Sequence, residues 1–163
     1  MSDVRSCRVG DVARLDVYWL HGEAGRGPCA SLIIAGDEVM RLDCLGRNRG
    51  HMHINLKQTR GFHNGGSARL YFREQSIAGQ IERACFELEY NLPYALAVNG
   101  AGRIRRCRFS PGAVENAVAF LRAEMCALHA CHPDAVGGGS ACAQPVLDAA
   151  SPAGDITQES GKG

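Results

Sequence analysis

The chain has 163 residues, enough for one domain with a core and too few for two ordinary ones. Hydrophobic residues make up 45%, charged residues 21%, and the net charge is +1 at pH 7, which excludes a polyelectrolyte and the dense basic stripe of a duplex-binding protein. No apolar run reaches the roughly 18–20 residues that span a bilayer, and the first twenty residues hold no export signal, so the expected setting is cytoplasmic, without a membrane or nucleic-acid partner.

Residues 1–10 read as a flexible N-terminus. "RLDVYWLH" (14–21) then alternates as a strand, with Tyr18 and Trp19 taken as core aromatics. "GEAGRGP" (22–28) is a loop. It lacks the Lys-Ser/Thr of a phosphate-binding loop and opens no helix. "CASLIIAG" (29–36) is a continuous apolar run, the mark of a strand buried on both faces, and Gly36-Asp37 suits a tight turn into the alternating "EVMRLDCL" (38–45). "GRNRG" leads to "HMHINL" (51–56), and a polar loop leads to "ARLYFRE" (68–74).

The period then changes. Ser76 can cap a helix with the stripe Ile77, Ile81, Cys85 and Leu88, ending near Asn91 before Pro93. "RIRRCRF" (103–109) reads as a last strand, an edge protected by Arg103, Arg105, Arg106 and Arg108. Ser110-Pro111 opens a second helix carried by Val114, Val118, Leu121, Met125 and Leu128 to about His129. The series predicts an α+β domain over 11–132: an antiparallel sheet of five to six strands with two amphipathic helices on one face. From 133 to the end the chain is rich in Gly, Ala, Ser and Pro, and Asp134, Asp148, Asp155 and Glu159 face Lys162 alone, so an acidic disordered tail is expected.

Eight cysteines are many for this length, but no CxxC pair exists, and Cys29, Cys44, Cys85, Cys107 and Cys126 read as small core hydrophobes. "CALHACH" (126–132) resembles a metal tract but has no second ligand pair at finger spacing.

The candidate site comes from strand parity. If Met40, Leu42 and Cys44 share a core face with Met52, Ile54 and Leu56, then Arg41, Asp43, His51, His53 and Asn55 share the other. A five-residue loop at 46–50 would pair Leu45 with His51 and Asp43 with His53. In 68–74, Leu70 and Phe72 point in while Arg69, Tyr71 and Arg73 point out. The plain account is an ordinary wet sheet face, yet there is no lysine or glutamate from 39 to 56. A metal account takes His51, His53 and Asp43 as ligands of a divalent ion, zinc or iron, with the two histidine Cα atoms about 7 Å apart. A metal-free account makes His53 a general base oriented by Asp43, with Arg41, Asn55, Tyr71 and Arg73 holding a small anionic ligand. The function expected is a small ligand-binding or enzyme-like domain. The alternative is a non-catalytic module that docks a protein partner in a larger complex.

Two resemblances bear on this. "HMHINLKQTRGFHNG" is similar to the first metal motif of cupins, with Gln58 in the place of the expected glutamate and Gly65 fitting the closing glycine. No second cupin motif follows, and helices stand where a cupin would continue with strands, so the likeness reads as accidental. "RLDCLGRNRGHMHINL" and "GQIERACFELEYNLPY", within residues 29–109, resemble a small uncharacterised bacterial domain family, which implies a bacterial setting and no particular activity.

Overall fold

The computed structural model of the chain describes residues 4–22, 25–55 and 69–132. Among them, six strands form one sheet in sequence order: β1 (Arg5–Val9), β2 (Ala13–Gly22), β3 (Gly25–Ile34), β4 (Asp37–Asp43), β5 (His51–Ile54) and β6 (Leu70–Tyr71). Every neighbouring pair is antiparallel. Three helices follow, α1 (Ile77–Ala97), α2 (Gly102–Arg105) and α3 (Pro111–Cys131). The fold is the expected α+β arrangement. No helix of the described residues is long and apolar enough to cross a membrane.

Local chemistry sets the elements. Ala35 (φ 50°) and Gly36 (φ 83°) make a two-residue turn in which both central residues are left-handed, the geometry that matches strand twist, so Ile34 pairs with Asp37. Ser76 Oγ accepts from Gly79 N at 3.0 Å, and Ser110 Oγ from Ala113 N at 3.3 Å, with Pro111 in the first turn. The helices cover one sheet face: α3 lies on β1, β2 and β3, α1 on β4, and α1 packs against α3. Leu15, Val17, Trp19, Leu32, Leu42 and Met52 from the sheet meet Ile81, Leu88, Leu121 and Met125 from the helices in one buried core.

Several expectations change. Residues 5–9 are not loose but form β1, because "RSCRV" alternates and finds a complete partner in β2. The arginine-rich segment 103–109 is not a strand. Its first part is α2, whose Ile104 is fully buried while the flanking arginines stay outside. Helix α1 does not stop before Pro93 but runs through it to Ala97, since Leu92, Ala95 and Leu96 are still buried and packing offsets the one backbone bond lost. β6 is two residues long, and Leu70 is half exposed although Phe72 is buried as expected. The expected disordered tail at 133–163, Leu56, and the cupin-motif positions Gln58 and Gly65 lie outside the described residues.

Candidate metal centre

Alternation along β4 and β5 works as the sequence suggests. Leu42 faces Met52 on the helix side, and one residue along, Asp43 faces His51 on the other. Arg41 faces His53. The register differs by two residues from the one expected, in which Asp43 met His53. The connection takes seven residues, not five: Gly46 (φ 69°) and Arg47 (φ 49°) turn the chain left-handed, and residues 47–49 form a single 3-10 turn. A shift of two changes the facing partners but keeps parity, so the same side chains still share one face.

Their geometry is specific. Asp43 Oδ1 accepts from Arg41 Nε at 3.1 Å. Its other oxygen, Oδ2, lies 3.2 Å from His51 Nε2 and 3.6 Å from His53 Nε2. One ligand atom from each residue can be chosen so that all lie within 4.8 Å of one another. The imidazole rings stand nearly perpendicular, 4.8 Å between centroids. On the far side, His51 Nδ1 is 2.7 Å from the Arg49 carbonyl. A carbonyl can only accept, so Nδ1 carries the proton, and in neutral His51 the lone pair sits on Nε2, aimed at a carboxylate oxygen.

This is not a wet sheet face. Asp43, His51 and His53 are 3%, 5% and 5% exposed. Burial pushes the His51 pKa below its ordinary value, a shift that the Arg49 carbonyl and Asp43 only partly oppose. Burial alone would raise the Asp43 pKa, but a hydrogen bond from His53 and the Arg41 charge hold it below the usual carboxylate range. The carboxylate is therefore ionised at neutral pH.

The loop before β5 is held by a residue whose role the sequence pattern does not announce. Gln80, fully buried on α1, accepts from Gly46 N at 2.8 Å and donates to the carbonyls of Arg47 (2.9 Å) and Glu74 (2.7 Å). Gly50 leaves room for it, since a Cβ there would run into the Gln80 amide. Gln80 thereby fixes the backbone that presents the Arg49 carbonyl to His51. Its one signal is a polar residue inside the apolar stripe of a helix. At the other end, Gly27 lets the chain at Cys44 and Leu45 cross directly over β3.

Cys29 is not the core hydrophobe that its apolar surroundings suggest. It pairs with Asp43 across the sheet and shares its polar face, where burial and then the Asp43 charge push its thiol well up. A continuous apolar strand carries no parity signal, so its sequence could not assign the side.

Of the other expected residues, Tyr71 stands opposite His51, ring centroids 5.6 Å apart, and is 61% exposed at the mouth of the site. Asn55 does not belong to the site. Its backbone turns left-handed (φ 53°), ending the alternation, and its amide points inward to donate to the Ala95 carbonyl and accept from Asn99. Arg73 lies beyond β6, exposed, with its carbonyl bonded to Gln75. The "CALHACH" tract forms no ligand cluster among the described residues, and His132 stacks on Trp19 at 4.2 Å. No protein-family model matches the chain, and comparison with curated proteins and with solved structures likewise gave no match.

Proposed function

We propose that Asp43, His51 and His53 bind a divalent transition-metal ion, zinc or iron(II), in a small ligand-binding or enzyme-like domain. The observation that carries this reading is the tautomer of His51. With its Nδ1 proton committed to the Arg49 carbonyl, neutral His51 presents an acceptor to the acceptor Oδ2, and a cation between them removes the conflict. Metal-bound histidines characteristically give their second ring nitrogen to a carbonyl or carboxylate in this way. The two Asp43–His separations, 3.2 and 3.6 Å, bracket the roughly 3.3 Å expected between ligand atoms of a tetrahedral ion with bonds of about 2.0–2.1 Å, and all three ligand atoms lie within 4.8 Å of one another.

Three protein ligands leave at least one position for water or a substrate oxygen, the condition for Lewis-acid or non-haem iron chemistry. Arg41 uses Nε on Asp43, and its Nη groups make no hydrogen bond among the described residues, so a small anion is the favoured ligand. Metal analysis of untagged protein tests the reading. Wild type should carry close to one ion per chain, and His51→Ala, His53→Ala and Asp43→Asn should each lose most of it. Gln58→Ala should retain it, which separates this ligand set from a cupin-like one.

The interaction-module reading has its own support in Phe86, Tyr90 and Tyr94, which are 45%, 60% and 59% exposed at four-residue spacing along α1. Metal-free wild type that binds a second protein, with binding lost in Tyr90→Glu, would favour it.

A further inference from the structure

Between the C-terminal half of α1, α2 and the start of α3 lies a cavity of about 330 Å³, near the lower end of the roughly 300–1,000 Å³ typical of ligand pockets. Leu92, Leu96, Phe109 and Val114 give it an apolar lining, and Arg105 and Arg108 stand in its wall. These two arginines differ from their neighbour Arg103, which pairs with Asp37 at 2.8 Å. Among the described residues, Arg105 and Arg108 have no carboxylate partner. Both are nonetheless fixed: Arg105 Nη1 donates to the Asn99 and Gly100 carbonyls at 2.6 and 2.8 Å, and Arg108 Nη1 to those of Arg105 and Cys107 at 2.8 and 2.7 Å. Two uncompensated guanidinium groups, already oriented by backbone, border an apolar hollow.

We propose that this cavity binds a small amphipathic carboxylate. Its hydrocarbon part lies on Leu92, Leu96, Phe109 and Val114, and its carboxylate meets the guanidinium groups of Arg105 and Arg108. Charge complementarity sets the sign of the ligand, since guanidinium presents a fork of donors that fits a carboxylate. Cavity size sets the class, a short aliphatic chain or a single ring and not a long-chain fatty acid. Glu89, the one acidic lining residue, stands eight residues before the end of α1, about 12 Å along the helix axis from that end, just past which Arg105 bonds the Asn99 and Gly100 carbonyls. It therefore leaves the Arg105 end of the hollow open to an anion. The site is separate from Asp43, His51 and His53 and does not depend on a metal there.

Calorimetric titration of the full chain with octanoate tests the proposal, with 1-octanol as the uncharged probe. Octanoate should bind saturably at one site, and 1-octanol at least tenfold more weakly. Arg108→Gln, which alters contacts only to exposed carbonyls, should weaken octanoate about tenfold, and Val114→Trp, which fills the hollow, should abolish binding. His51→Ala should bind octanoate as wild type does. No saturable octanoate binding, equal affinity for 1-octanol, or unchanged binding by Arg108→Gln would each overturn the proposal. If Val114→Trp fails to fold, the comparison of octanoate with 1-octanol and the Arg108→Gln titration still decide it.

Discussion

Leu42 and Met52 face each other across β4 and β5, and one step along the same strands Asp43 faces His51. The two pairs are almost equally withdrawn from solvent, at 1% and 6% against 3% and 5%. What differs is what meets them. The first pair is closed in by the helices, where burying apolar surface is favourable without any directional partner. The second is polar, and its buried polar atoms need answering groups: Arg41 and His53 for Asp43, the Arg49 carbonyl for His51 Nδ1. Burial alone thus does not separate scaffold from site. The chemistry of the partners does.

The largest effect should come from making the two faces alike. Met52→Asp places a carboxylate among Leu42 and the helix side chains with no partner, at a cost of about 3–5 kcal/mol. Thermal or urea unfolding should show the domain largely unfolded, whereas Met52→Leu should stay within about 1.5 kcal/mol of wild type. A Met52→Asp protein that melts like its parent would mean that the two faces are not distinguished in this way.

A smaller effect is expected at the link between the faces. Gln80→Leu leaves Gly46 N and two carbonyls without their bonds, at a cost of about 1–3 kcal/mol. Because that loop sets the Arg49 carbonyl, metal affinity should also fall roughly 10–100-fold, the usual penalty for losing an outer-shell partner. A stability loss with unchanged metal affinity would separate the loop from the site.

Parity was legible in the sequence because "HMHINL" and "EVMRLDCL" alternate cleanly, and a two-residue error in register leaves parity intact. That is why Asp43, His51, His53 and Arg41 group together on the alternation of the residues alone. The limits of the alternation were not legible. Asn55 leaves the pattern through a left-handed backbone that a one-residue identity does not announce, and Cys29 sits in a strand apolar on both sides. The alternating arginines of 103–109 imitate a strand because the helix they begin is one turn long and buries only Ile104. Gln80 acts over 33 to 34 residues of sequence separation, and no local pattern reports such a contact.

The smallest effect should appear in the pH dependence of the metal-free protein. Burial lowers the folded pKa of His51, so on acidification the unfolded chain takes up its proton first, and stability is lost as pH falls below about 6.5 toward the folded value. His129, also lowered by burial, contributes with the same sign. Asp43, held low by His53 and Arg41, adds stability that is full above about 3.9 and lost as pH falls through its folded value. Melting temperatures should therefore decline from pH 7 to 5 and again below 4. The His51→Asn, His129→Gln double variant should flatten the first decline, and an unchanged slope would contradict this assignment.

The most direct measurement is anomalous diffraction from crystals of the zinc-loaded protein at pH 7.5, recorded on both sides of the zinc edge. The account predicts one peak on the polar face of β4 and β5, bonded to His51 Nε2, His53 Nε2 and Asp43 Oδ2 at about 2.0–2.2 Å, with the His51 Nδ1 bond to the Arg49 carbonyl preserved. Zinc bound at other residues, or zinc-soaked crystals with no peak between these three side chains, would contradict it.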